Sequence, residues 1–314
     1  MKNIAIICLL LALVGCRTQP THDAARLDAE KRGTTAISLF DYASSFSEGL
    51  AAVEVCKKWG FINTSGKVVI EPTYDMACSF SEGCAFVRIS KKWGFIDRSG
   101  KIVIKPQYEG AYGFYEGSSA VRVGEKWGFI DKSGKMVIEP QWQQTSPFQE
   151  GLAAVGNGTG EFYIDTTGKR AFNSQFVVAL EFSEGLAAVS PGGGRVCHAD
   201  FGYVDKNGEM VIGPRFNMAC RFMEGLAVVK VGERWGLIDH SGKMVIEPQF
   251  DGAYGFSEGL VAVRVGEKWG FIDKSGTIVI KPQYGFASYF KEGVAAVKVN
   301  DKWGYINKSG KFAF

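Results

Sequence analysis

A 34-residue unit written eight times over limits most severely what this chain can fold into. Its core reads KWGFIDKSGK at Lys126–Lys135 and recurs almost unchanged from Lys268 to Thr277. The tryptophan slot falls at Trp59, Trp93, Trp127, Glu161, Phe201, Trp235, Trp269 and Trp303, in steps of 34 residues broken once by a step of 40. A second landmark, Phe-x-Glu-Gly, keeps the same spacing from Phe46 to Phe290. A fixed period of this size means stacked or ring-closed supersecondary units rather than one irregular catalytic domain.

One unit, taken from Ser257 to Phe290, shows what each repeat becomes. Leu260–Val265 is short, β-branched and partly alternating, as a half-buried strand should be. Gly266-Glu267 makes a tight connection into a second strand, Lys268–Ile272. Asp273-Lys-Ser-Gly276 is a hairpin turn in which the Asp caps and the Gly supplies a positive φ. A third strand, Ile278–Ile280, is expected to stop at Pro282, and Gln283–Phe290 reads as a connecting loop. The fold class is therefore all-β: eight units of about 34 residues, each a three-stranded antiparallel meander, marginal alone and stable only when stacked. Both terminal units stay close to the repeat, whereas open solenoids need polar caps. That favours a propeller-like ring over an open β-superhelix, although three strands are fewer than the four of a typical blade.

The K-W-G-[FLY]-I-[DN]-x-[ST]-G-K pattern resembles the bacterial WG-repeat family, also called KWG repeats. Its Trp-Gly pair stands at Trp59, Trp93, Trp127, Trp235, Trp269 and Trp303, and the fourth and fifth units depart, with Glu161-Phe162 and Phe201-Gly202 in that slot. The resemblance implies a β-rich repeat fold in a secreted or surface-attached protein, and it brings no common enzymatic activity.

The N-terminus bears on location. One charge, Lys2, precedes an apolar run from Ile4 to Val14 that ends in Leu13-Val14-Gly15-Cys16. This has the layout of a lipoprotein signal, residues 1–15, with Cys16 acylated after cleavage. Several acyl chains would hold the protein on a membrane without a transmembrane helix. In lipoproteins an Asp after the cysteine often marks inner-membrane retention, so Arg17 points to the outer membrane in a Gram-negative host. Residues 16–34 then form a lipidated polar tether reaching on the order of 20 Å if flexible, and residues 35–314 form the repeat domain.

Charge excludes one class of partner. The chain carries 36 basic and 33 acidic residues, a net +3 that falls to about +2 once Lys2 is lost, and the signs alternate. No electrostatic footprint for nucleic acid results.

Chemistry-bearing patterns are sparse. Eight glutamates occupy one slot, from Glu48 to Glu292; equal copies suit backbone hydrogen bonding at turns better than catalysis, which needs one unique constellation. His22, His198 and His240 are scattered, and neither a metal-ligand spacing nor a nucleophile elbow occurs, so no catalytic residue, metal or cofactor is expected. Cys56 and Cys78, and likewise Cys197 and Cys220, occupy matching places in the first and fifth units, so two disulfides, Cys56–Cys78 and Cys197–Cys220, are expected in an oxidising compartment, with Cys84 left over in an apolar slot.

The irregular middle is the expected place for a specific site. The fourth unit has Gly156-Asn-Gly-Thr-Gly160, Trp142 where most units have Tyr or Phe, and Ser174 where Pro is usual. The fifth carries a six-residue insertion within Ser190–Asp200 that brings Arg195 and His198. Inserted loops on a rigid scaffold often bind, which makes Trp142, Arg195 and His198 the candidate binding residues. The sequence thus reads as a lipid-anchored protein of the bacterial envelope that binds or scaffolds a protein partner. A glycan or cell-wall ligand is the second reading, with Tyr112 and Tyr254 to stack on sugars. An envelope enzyme, a hydrolase with a pocket built from units four and five, is the third.

Overall fold

The computed structural model describes residues 40–192 and 200–314, which form one compact all-β unit. Eight antiparallel sheets follow one another as the blades of an eight-bladed propeller. In the first blade β1 (Tyr42–Ala43) pairs with β2 (Leu50–Val55), β2 with β3 (Lys58–Asn63) and β3 with β4 (Val68–Tyr74). The other blades repeat that order, their inner strands starting at residues 76, 110, 144, 178, 218, 252 and 286.

Most blades therefore have four strands, not the three read from the sequence. The extra one is a two-residue inner strand such as β1, too short to show a period, set in the stretch that reads as a loop. Nor does proline end the outer strand: β4 runs through Pro72 to Tyr74. Pro72 sits on an edge strand beside an irregularity in the β3–β4 pairing, where its missing N–H has no ladder partner to fail.

That irregularity explains the glycine of the Trp-Gly pair. A Cβ on Gly60 would lie 2.4 Å from the Ile70 carbonyl oxygen and 2.7 Å from the Pro72 nitrogen. The same backbone approach occurs at Gly94, Gly128, Gly202, Gly236 and Gly270. In the fourth blade Phe162 stands in this slot, and the blade keeps only three strands, ending at Glu161–Asp165. Its outer segment is held instead by isolated pairings of Glu161 with Phe176 and Ile164 with Arg170. The Arg170 guanidinium lies 4.7 Å from the Phe162 ring and donates to the carbonyls of Phe172, Asn173 and Ser174.

The core is a circle of eight clusters, each shared by two neighbouring blades. On β2, Leu50 and Ala52 face the second blade while Ala51 and Val53 face the eighth, so both faces of the strand are buried. The Phe of Phe-x-Glu-Gly is the wedge between blades. Phe46 meets Tyr305, Phe80 meets Phe61, Phe114 meets Phe95 and Phe290 meets Phe271, with ring centroids 4.7–4.9 Å apart. Such pairs contribute about 0.5–1.5 kcal/mol each beyond their burial.

Candidate functional site

Polar contacts join neighbouring blades on both faces of the propeller, at all eight seams on one face and as four ion pairs on the other. On the face carrying the first and third hairpin turns, each Glu of Phe-x-Glu-Gly accepts a hydrogen bond from the Gly N–H of the next blade. Glu48 takes Gly83, Glu82 takes Gly117, and so on round to Glu292, which takes Gly49 at 3.0 Å. Every one of these glutamates has φ between 51° and 56°, and the following Gly is also left-handed, as a two-residue hairpin loop demands. The carboxylate bond offsets part of the cost, about 1–2 kcal/mol, of placing a non-glycine residue there. Lys132, Lys206, His240 and Lys308 of the next blade pair with Glu82, Glu150, Glu184 and Glu258 at 3.0–3.1 Å. The eight equal glutamates are thus engaged in joining blades.

The same face bears the Asp/Asn-x-Ser/Thr/Asn-Gly turns, which form as the sequence predicts. In the third blade Asp131 Oδ1 accepts from the Ser133 N–H, the Ser133 hydroxyl and the Lys135 N–H. The Ser133 hydroxyl bond, foremost, holds the Asp131 carboxyl below the usual range, and the corresponding serines do so for Asp97, Asp239 and Asp273.

On the opposite face the first residue of the Lys-Trp-Gly run reaches an acidic residue of the next blade: Lys58 to Asp75, Lys92 to Glu109, Arg234 to Asp251 and Lys302 to Asp41. These are exposed pairs, worth little individually. The tryptophans lie just beneath. In the fourth blade Glu161 takes the tryptophan slot and accepts from the Ala179 N–H at 2.6 Å; burial pushes its carboxyl up.

The repeat tryptophan, the glycine under a bulged outer strand, and the Asp-to-Gly turn recur together around the ring, and the family model for the WG-containing repeat matches this chain over residues 31–58, 59–93, 93–127, 127–158, 201–235, 235–269 and 269–303. The chain belongs to the WG-repeat family. The span from 159 to 200, between matched segments, takes in Phe162, which replaces the glycine in the fourth blade. Among curated proteins none matches the chain.

Solved structures share the propeller at low identity. A eukaryotic initiation factor superposes with a TM-score of 0.58 at 11% identity, covering 90% of this chain and 88% of that one. Hsv2 of Kluyveromyces marxianus gives 0.51 at 8%, over 78% and 97%. The dihydro-heme d1 dehydrogenase NirN in complex with DHE gives 0.50 at 12%, over 88% and 69%. Such likeness speaks of fold alone.

Of the residues singled out from the sequence, those that the structure describes do not form one site in this WG-repeat propeller. Trp142 is 5% exposed, opposite Trp127 at the end of an outer strand and edge-on to Phe129 at 6.2 Å. It is a core residue in the slot that Tyr74 fills. Cys56 and Cys78 are free thiols, not a disulfide. Cys56 occupies the exposed β2–β3 turn, whereas Cys78 follows the inner strand of the next blade, where its N–H bonds the Phe86 carbonyl and burial pushes its thiol up to about 12. Matching repeat positions did not place these two side chains together. Cys16, Arg195, Cys197 and His198 lie outside the described residues, and with Cys197 goes the pairing to Cys220. Among the described residues no group of three or more His, Cys, Asp or Glu is placed to hold a metal ion.

A concavity that was not anticipated lies elsewhere. It has a volume of 240 Å³ and opens where blades seven, eight, one and two meet the central channel, lined by Tyr42, Tyr254, Phe286, Tyr289 and Trp303 among others. Of these only Tyr254 was named from the sequence as a ligand-stacking residue. The available signal was that Tyr42 and Phe286 share one repeat slot that holds Met, Gly, Gln or Val in the other blades. The two ends of the chain had to be joined before that mattered.

Proposed function

We propose that this WG-repeat protein is a non-catalytic binding and scaffolding module of the bacterial envelope, held on a membrane by acylated Cys16 and engaging a protein partner through its propeller. One observation carries the binding reading: the repeated polar residues are already engaged within the ring, the glutamates with neighbouring glycines and the turn aspartates with their own backbone. What remains for recognition is the broad face and the non-repeating residues at the channel mouth. Among the described residues the mouth cavity has no Asp, Glu or His in its lining, the side chains that most often serve as general acid or base. The Leu13–Cys16 tetrapeptide supports the anchor, and Arg17 supports the outer membrane in a Gram-negative host.

The test has two arms. Cys16→Ser should abolish incorporation of labelled palmitate and move the protein out of the membrane fraction; retention in that fraction would refute the anchor. Cross-linking in intact cells followed by detergent extraction should capture the same envelope protein with the native chain in replicate experiments. Failure to capture one, alongside saturable binding of a glycan, would make the protein a carbohydrate module instead.

A further inference from the structure

The cavity at the channel mouth is unusual in its chemistry. Its rings touch one another in an unbroken arc: Tyr254 to Phe286 at 5.6 Å, Phe286 to Trp303 at 5.4 Å and Trp303 to Tyr42 at 4.9 Å. The arc continues past the cavity to Trp269 at 5.4 Å from Phe286 and to Trp59 at 5.2 Å from Tyr42. Tyr42 and Tyr254, 42% and 38% exposed, form its outer rim. The rest of the lining is Ala43, Tyr289 and four serines, so among the described residues no formal charge faces the space. The Ser44 and Ser288 hydroxyls are held by the Ala52 and Ala296 N–H groups, both at 2.9 Å. Among the described residues no hydrogen bond holds the hydroxyls of Ser45 or Ser79, the next two serines on the wall.

We infer that this arc is a binding platform for an uncharged saccharide, one pyranose seated in the cavity and its neighbours lying along the rings. The inference rests on the binding-module reading and names the ligand of this concavity. Three properties favour a sugar. The volume of 240 Å³ falls below the ~300–1,000 Å³ of pockets that bury drug-sized molecules, which suits a single ring. The lining is apolar faces plus hydroxyls, matching the C–H faces and hydroxyl rim of a pyranose, and an ionic ligand would find no counter-charge. Four serines share the wall with the rings, and their hydroxyls match the hydroxyl groups of a sugar, partners that a quaternary ammonium has no group to meet. Because half-buried Trp59 carries the arc beyond Tyr42, an oligosaccharide gains contacts on that side that a monosaccharide cannot make, whereas Trp269 at the other end is buried.

The test uses the purified full-length protein in a detergent without a sugar headgroup. It is titrated with tetrasaccharides of β-1,4-glucose, α-1,4-glucose and β-1,4-N-acetylglucosamine, with choline and an anionic uronic-acid tetrasaccharide as counter-probes. Calorimetry and tryptophan fluorescence report binding. At least one uncharged tetrasaccharide should saturate, and Tyr42→Ala and Tyr254→Ala should each weaken it about tenfold or more. Tyr112→Ala removes an equally exposed tyrosine that stacks on Trp127 outside the cavity, and should leave affinity unchanged. Saturation by no uncharged probe, saturation by choline or the anionic probe in their place, or an equal loss in Tyr112→Ala overturns the inference. Circular dichroism of each variant separates lost binding from lost fold. If the saccharides fail while an envelope protein is still cross-linked to Tyr254→Ala, the ligand assignment falls and the binding-module reading stands.

Discussion

Phe40 and Trp303, near opposite ends of the chain, exchange both backbone hydrogen bonds of an antiparallel pair, at 2.8 and 2.9 Å. Elsewhere the tryptophan slot pairs within its own blade, as Trp59 does with Tyr74. The eighth blade ends at Phe314 before such a residue is reached, and Phe40 supplies it from the start of the chain. Asp41 beside it pairs with Lys302, the Tyr305 hydroxyl donates to the Ser44 carbonyl at 2.7 Å, and Phe314 lies over Gly66 where Ile70 lies over Gly100 in the next blade. The ring is closed by shared blade, not by a separate cap.

Phe40→Ala should therefore destabilise the whole propeller, because Phe40 is 2% exposed and sits in the cluster joining the first and last blades. Large-to-small changes of this kind cost about 3–5 kcal/mol. Chemical denaturation should show a lower midpoint; an unchanged midpoint would mean the ring does not depend on this closure.

The glutamate ring can be dissected at Glu116, whose φ is 51° and whose carboxylate accepts from the Gly151 N–H at 2.9 Å. Glu116→Ala loses the bond and keeps the unfavourable backbone, and should cost about 1 kcal/mol. Glu116→Gly loses the same bond but relieves the left-handed strain, so it should be the more stable of the two in urea unfolding. The reverse order would refute this account of the slot.

Gly128→Ala tests the bulge. Its Cβ would meet the Ile138 carbonyl oxygen at 2.5 Å and the Pro140 nitrogen at 2.7 Å, both backbone atoms that cannot turn aside. A loss of about 3 kcal/mol is expected, measurable by thermal unfolding, whereas Gly213→Ala, with open space at its Cβ, should change little.

Acid should act on two sites with opposite sign. Asp131 has its carboxyl held down in the folded state, so its stabilising contribution is present above the unfolded range near pH 4 and is lost as pH falls below it. Glu161 has its carboxyl raised, chiefly by burial, so its charge opposes folding at neutral pH and this cost disappears as the pH drops. Glu161→Gln should accordingly be more stable than the native chain at pH 7, with the gain shrinking toward pH 4. A constant difference across that range would show that the charge is not the cause.

Alkylation at pH 8 should distinguish the cysteines. Exposed Cys56 should label in the native protein, while Cys78, its thiol pushed up to about 12, should label only on unfolding. Mass spectrometry finding Cys56 and Cys78 in one disulfide-linked peptide would contradict the free thiols.

How much of this was legible beforehand follows from the range of each interaction. The Asp131-to-Gly134 turn involves neighbours in sequence and could be read directly. So could the strands around it, because Leu50–Val55 carries its own pattern. The two-residue inner strands could not, since β1 exists only through its pairing with β2. Trp142 looked exceptional as a residue type, yet its slot is a core slot, and only the packing against Phe129 reveals that.

The sequence alone determined the period, the turn chemistry, the all-β class and the ring as the favoured closure, because these rest on local backbone preferences repeated eight times. Tertiary structure alone decided which residues meet at the seam and the channel mouth. Tyr42 and Trp303 become neighbours only when the ring shuts, and no local pattern encodes a contact that depends on the summed rotation of eight blades.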